Sequence, residues 1–180
     1  MESEKDTRRG MIHVYTGDGK GKTTAALGLA LRAVGRGMRV IMLQFLKSSE
    51  PTGEILAAEK LKPWLTILPM GRKGFIGRKG PDPEDRRLAE EAVKKVREIY
   101  QSASCDLLIL DEINVAVAFG LVSPDTVLEL MREKPPSLEL VLTGRNADPR
   151  ILEGADLVTE MKMIKHYFEK GIGDREGIER

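Results

Sequence analysis

Val14-Tyr15-Thr16-Gly17-Asp18-Gly19-Lys20-Gly21-Lys22-Thr23-Thr24 follows an apolar run that begins at Met11 and opens into the Ala- and Leu-rich stretch Ala25 to Val34. The order is strand, glycine-rich loop, helix start. In a phosphate-binding loop the glycines let backbone N–H groups close around a polyphosphate, the Lys supplies a mobile cation, and the Ser/Thr hydroxyl reaches Mg²⁺. Gly21-Lys22-Thr23 forms the core of that pattern. The full form G-x-x-x-x-G-K-[ST] asks for glycine where this chain has Thr16, and Gly17 and Gly19 carry the flexibility instead. Thr16, Gly17, Asp18, Gly19, Lys20, Gly21, Lys22, Thr23 and Thr24 are therefore the candidate nucleotide-binding residues.

Working outward, apolar strand-like runs alternate with helical patterns. Arg39 to Phe45, Trp64 to Leu68, Leu107 to Leu110, Leu138 to Leu142 and Leu157 to Val158 read as short aliphatic strands. Asp82-Pro83-Glu84-Asp85 is an N-cap, a proline and an acidic first turn, after which Ala89, Val93, Val96, Tyr100 and Ala103 mark one helical face. Ser123-Pro124-Asp125 starts another helix and Pro149 a short one. Aliphatic strands separated by helices predict a three-layer α/β/α fold on a mostly parallel sheet. The one long irregular stretch, Met70 to Pro81, interleaves Gly71, Gly74, Gly77 and Gly80 with Arg72, Lys73, Arg78 and Lys79, and loops of that length are commonly functional.

Leu107-Leu108-Ile109-Leu110 runs into Asp111-Glu112, which puts two carboxylates at a strand's C-terminal end, where ligands of α/β sheets sit. Either can hold Mg²⁺, directly or through water, close to the phosphate loop if the strands are neighbours. The candidate metal residues are thus Thr23, Asp111 and Glu112. Leu140-Val141-Leu142-Thr143-Gly144 empties in the same way into Arg145 and Asn146, which are placed to contact triphosphate or substrate. His13 reads as a residue of the first strand, and His166 as either a lid or a packing residue. No Cys or His cluster has metal-ligand spacing, and no Ser/His/Asp set suggests acyl transfer.

The 180 residues suit one domain, expected over 11–180 after a mobile charged segment over 1–10. A net charge of +1 with both signs intermixed gives no electrostatic case for nucleic acid or an anionic membrane as partner. Cys105, the single cysteine, reads as a small apolar filler. No run approaches the ~20 apolar residues of a membrane span, and the start of the chain lacks a signal-type apolar region, so a cytoplasmic location is expected. Asn and Gln are scarce beside Lys, Arg and Glu, a bias reported for proteins from hot environments.

Thr16 to Ala26, Gln44-Phe45-Leu46-Lys47, Leu110-Asp111-Glu112, Leu142 to Asn146, Ala155 to Glu160, Lys165-His166 and Gly177-Ile178-Glu179 together resemble the P-loop type of ATP:corrinoid adenosyltransferase over nearly the whole chain, Ile12 to Glu179. The resemblance implies a RecA-like fold, a homodimer, and transfer of the adenosyl group of ATP to Co(I) of cobalamin or cobinamide. It also implies Mg²⁺ (or Mn²⁺) with the nucleotide and an external electron donor such as a reduced flavoprotein. Lys22, Thr23, Glu112 and Phe75 would be the catalytic residues, with Phe75 over the lower axial face of the corrinoid, and Arg32 would approach the nucleotide. Two positions depart from the family pattern. Gly77 stands where some members carry Trp, and Ser48 where Gly commonly follows the Gln-Phe-x-Lys motif. On motifs alone, a RecA-like ATPase module acting on a partner or nucleic acid, with Glu112 activating water, is the competing reading, and a kinase a third.

Overall fold

The computed structural model describes residues 9–73 and 80–179. Six strands form one sheet in the order β3-β2-β4-β5-β1-β6: β1 (Ile12–Thr16), β2 (Val40–Gln44), β3 (Leu65–Pro69), β4 (Leu107–Asp111), β5 (Glu139–Thr143) and β6 (Leu157–Glu160). Every neighbouring pair is parallel. Alternation along each strand sends successive side chains to opposite faces, and both faces are covered. On one, Val40, Met42, Leu107, Ile109 and Val141 pack with Ala26, Ala30 and Ala33 of α1 (Lys22–Val34) and Ala58 of α2 (Gly53–Lys60). On the other, Leu43, Leu108, Leu110, Leu140 and Leu142 meet α3 (Pro83–Ser102), α4 (Ile113–Ala118), α5 (Pro124–Glu133) and α6 (Pro149–Glu153). The three-layer arrangement expected from the strand and helix rhythm is the one found.

The helix starts obey the sequence signals. Asp82 accepts from the N–H groups of Glu84 and Asp85 while the Asp85 side chain accepts from the Asp82 N–H, a reciprocal box that fixes where α3 begins. Ser123 and Asp148 cap α5 and α6 one way, accepting from the N–H groups of Thr126 and Arg150, each ahead of a proline. Three helices carry no side-chain cap: α1, α2, and α4, whose Ile, Val and Ala residues would suit a strand continuing from β4. Glu112, in the left-handed conformation at φ 62°, breaks that continuation and turns the chain into α4.

Gly10, assigned by sequence to a mobile terminal segment, is buried, and its N–H donates to Pro136 O at 2.8 Å. The described part of that segment is therefore already docked against the start of β5. No described helix is long and apolar enough to cross a membrane.

Candidate functional site

A parallel sheet gathers all its strand C-termini at one edge, and there the candidate residues meet. From β1 the chain enters the loop Gly17–Gly21 and then α1. No side chain caps α1, so its first N–H groups face outward as an anion seat. Lys22 is buried and folds back over its own loop, its Nζ donating to Gly17 O at 2.6 Å and Gly19 O at 2.7 Å. Burial, and then Arg145, lower its pKa. Gly17 and Gly19 answer the missing consensus glycine. The strand exit at Met161 runs so close that a Cβ on either residue would stand 2.5 or 2.7 Å from Met161 O, and Gly17 also has φ +92°. Met161 N–H donates to Thr16 O, and Gly19 N–H to Met161 O.

Asp111 is the best-satisfied group of the site. It is 0% exposed, and its Oδ1 accepts from the Thr23 and Thr143 hydroxyls, both at 2.8 Å. Lys47 Nζ lies 2.8 Å from Oδ2, with Gln44 Nε2 at 3.4 Å. With four donors around its two oxygens, Asp111 orients Thr23, the neighbouring metal candidate. The strands of the two motifs are not neighbours, because β5 lies between β1 and β4, and Thr23 reaches Asp111 across β5 from the start of α1.

Glu112 is the opposite case. Its N–H donates to Thr143 Oγ1 at 3.0 Å, while its carboxylate makes no hydrogen bond to a described residue. Burial, and then the charge of Asp111, raise its pKa. A half-buried carboxylate that accepts no hydrogen bond from a described residue, in the field of Lys47, Lys22 and Arg145 and beside a threonine hydroxyl at an anion seat, fits Mg²⁺, which takes one or two carboxylates and completes its shell with phosphate and water. Thr23 and Glu112 are the residues that would hold it.

Beyond Glu112 opens a cavity of about 590 Å³ with an apolar floor that includes Phe45, Leu46, Leu88, Ala89, Val115 and Phe119. Lys47, Arg72, Glu112, Arg145 and Asn146 line it with polar groups. Leu46, Glu112 and Asn146 all adopt positive φ, at 64°, 62° and 54°. Three of the four described non-glycine residues in that conformation thus ring one cavity, at the exits of β2, β4 and β5. Each costs on the order of 1 kcal/mol, strain of a kind that clusters where ligands bind.

Arg72 ties the rim of this cavity to α3. Its Nε and Nη2 donate to the two carboxylate oxygens of Asp85 at 2.7 and 3.1 Å, and it also pairs with Asp82. Phe75 and Gly77 lie outside the described residues. Their flanks are closed by this clasp, with Arg72 on one side of the loop and Asp82 and Asp85 on the other.

The other candidates divide. Asp18, Lys20 and Thr24 lie on the exposed side of the loop, and Arg145 reaches the cavity close enough to act on Lys22 and Glu112. Arg32 acts electrostatically on Tyr15, the residue before Thr16. It sits in the last turn of α1, exposed, roughly 15 Å along the axis from Lys22 at the usual helical rise. His13 pairs with Glu139 at 2.7 Å, and His166 Nδ1 accepts from Phe168 N–H, so each has a structural task. Sequence reasoning quoted Gln44, Lys47 and Thr143 inside motifs without giving them roles. The polarity of Gln44 and Thr143 at the ends of apolar strands was the available signal.

The chain matches the family described as ATP:corrinoid adenosyltransferase BtuR/CobO/CobP over residues 8–180. It belongs to that family. Among curated members it is similar to the corrinoid adenosyltransferase of Pseudomonas aeruginosa, 36% identical, with 95% of this chain and 84% of that one covered. The Escherichia coli corrinoid adenosyltransferase is 34% identical, covering 98% and 89%. Solved structures show the fold alone. A flagellar accessory protein FlaH from Methanocaldococcus jannaschii superposes with TM-score 0.59 at 15% identity, covering 85% of this chain and 71% of that one. A KaiC-like protein from Pyrococcus horikoshii OT3 gives 0.55 at 14%, covering 84% and 72%. This corrinoid adenosyltransferase family member is thus built on the RecA-like P-loop fold.

Proposed function

We propose that this chain transfers the 5′-deoxyadenosyl group of ATP to Co(I) of a corrinoid, cobalamin or cobinamide. The cobalt electron pair attacks the ribose 5′ carbon, the cobalt–carbon bond forms, the bond from carbon to the triphosphate oxygen breaks, and triphosphate leaves. The observation that carries the reading is an anion cradle beside a cavity lined by no Ser, Cys or His among its described residues. A site with a leaving-group holder and no hydroxyl, thiol or imidazole nucleophile among its described lining residues suits a substrate that brings one.

The protein's task is then positioning and charge neutralisation. Loop N–H groups and Lys22, once it leaves Gly17 O and Gly19 O, hold the triphosphate, while Thr23 and Glu112 would hold Mg²⁺, which draws charge from the departing phosphates. Arg145 and Asn146 stand at the cavity edge to contact triphosphate or corrinoid. The apolar floor keeps water from the strongly nucleophilic cobalt. Phe75 would cover the lower axial face, since cobalt without a lower ligand is easier to reduce. We also assign to this reading a homodimer, a cytoplasmic location and an external electron donor such as a reduced flavoprotein, with no nucleic-acid or membrane partner.

Phosphorus NMR of a turnover mixture with MgATP and reduced corrinoid tests the proposal. Inorganic triphosphate appearing in step with the cobalt–carbon bond is the expected result. Stoichiometric ADP would end it in favour of an ATPase or kinase, which cleaves between the β and γ phosphorus atoms.

A further inference from the structure

The segment after β6 does more than close the sheet. After Met161 bonds to Thr16 and Gly19, the chain makes a single 3-10 turn, Tyr167–Lys170, and returns to the phosphate loop, where Lys20 Nζ donates to Ile178 O at 3.2 Å. Glu179 organises that return. Its Oε1 accepts from the Tyr167 hydroxyl and from Arg175 Nη2, the latter at 3.2 Å. Its Oε2 accepts from the Arg175 backbone N–H at 2.8 Å and from Arg175 Nε at 3.3 Å. The guanidinium also lies 4.7 Å from the Tyr167 ring centre. The Glu179 side chain is only 13% exposed, and Lys20 Nζ stands 4.0 Å from Oε1.

Lys20 and Lys22, two residues apart in a loop that must present one cation to a polyphosphate, are thereby sorted. Lys22 turns inward to Gly17 O and Gly19 O, and Lys20 is drawn outward to Ile178 O and Glu179. Gly19 between them is pinned by Met161 O at 2.6 Å. We infer that Glu179 is a positioning residue for the nucleotide loop: through Tyr167 and Arg175 it holds Ile178 O and its own carboxylate against Lys20, fixing the loop for triphosphate. Charge-assisted bonds of this kind are among the stronger ones available to a side chain, and here they act on a backbone whose shape is the binding site. The inference rests on Gly17–Thr24 being the ATP cradle.

The test compares the unaltered chain with Glu179→Ala, Glu179→Gln, Lys20→Ala and the double variant Lys20→Ala/Glu179→Ala. MgATP affinity is read by calorimetry and KM by steady-state adenosylation. Glu179→Ala should raise Kd and KM for ATP about tenfold, leaving kcat and the corrinoid KM near the unaltered values. Glu179→Gln should lose less, and the double variant should be no worse than the more affected single one, because both changes break one link. Fully additive losses, or equal rises in both KM values that follow a lower unfolding midpoint, would overturn the inference. If Glu179→Ala does not fold, Glu179→Gln carries the same comparison, since its amide oxygen still accepts from Tyr167 and Arg175. MgATP failing to bind the unaltered chain would end the functional reading as well. Equal MgATP affinity in the unaltered chain and the Glu179 variants would end this inference alone.

Discussion

Lys47 Nζ stands 2.8 Å from Asp111 Oδ2, and that contact sets the electrostatics of the site. Burial works against the Lys47 ammonium, but Asp111, with Glu54 and Glu112 behind it, outweighs the burial and raises its pKa above the ordinary lysine value. Asp111 is fully enclosed while Lys47 remains 31% exposed, so the pair is half-wet. Removing Lys47 strands a buried carboxylate.

Lys47→Ala should therefore destabilise the protein by about 2 kcal/mol in urea unfolding, below the usual cost of breaking a fully buried pair because water reaches the vacated side. The same change in an Asp111→Asn background should cost far less, as no charge is left behind. A single-variant loss within about 0.5 kcal/mol of zero would show the pair to be decorative.

Glu112→Gln should separate stability from activity. A carboxyl whose pKa is raised on folding holds its proton more tightly in the folded state, so its ionisation costs stability as pH rises from the unfolded value of about 4.3 through the raised folded one. At neutral pH that cost is present, and the Gln side chain removes it. The nucleotide-free variant should melt a few degrees higher than the parent at pH 7, with the gap closing toward pH 4, while Mg²⁺-dependent adenosylation falls. A lower melting temperature in the variant would contradict the account of Glu112.

Phe75→Ala bears on the corrinoid half of the reaction. If the ring excludes the lower axial ligand, adenosylation starting from Co(II) should fall roughly tenfold or more, while adenosylation from pre-reduced Co(I), which needs no such help, should hold. Equal losses from both starting states would mean that Phe75 only packs.

Ala103→Gly probes strain away from the site. Ala103 ends α3 in the left-handed conformation, at φ 46° and ψ 39°, and its side chain is exposed. Glycine there should stabilise the fold by roughly 0.5–1 kcal/mol, the relief of the Cβ penalty less the greater freedom of glycine when unfolded. Chemical unfolding gives the number, and unchanged turnover is the expected companion result.

The phosphate loop, the carboxylate pair and the strands were legible because each rests on local chemistry: glycine spacing, an aliphatic run ending in charge, a capping residue ahead of proline. The partners of Asp111 were not, because they are decided by topology: Lys47 comes off β2 beside it, and Thr143 off β5. Helix α4 was hidden for another reason. Its Ile-Asn-Val-Ala-Val-Ala composition suits a strand, and a single strained residue, Glu112, overrides that preference.

The place of β1 in the sheet also bears on how the protein is made. The strand that delivers the phosphate loop is synthesised before the other five strands, yet its two neighbours are β5 and β6, and the Ile12 N–H is taken by the Asp156 carboxylate 144 residues later. Until nearly the whole chain has been translated, the loop has no partner strands and its glycines have no Met161 to lean on. A nascent chain arrested before β5 should therefore be unable to bind ATP even with every residue of the loop already synthesised. A shortened translation product would be inert toward nucleotide, and the order of synthesis itself would guard against half-built enzyme capturing ATP.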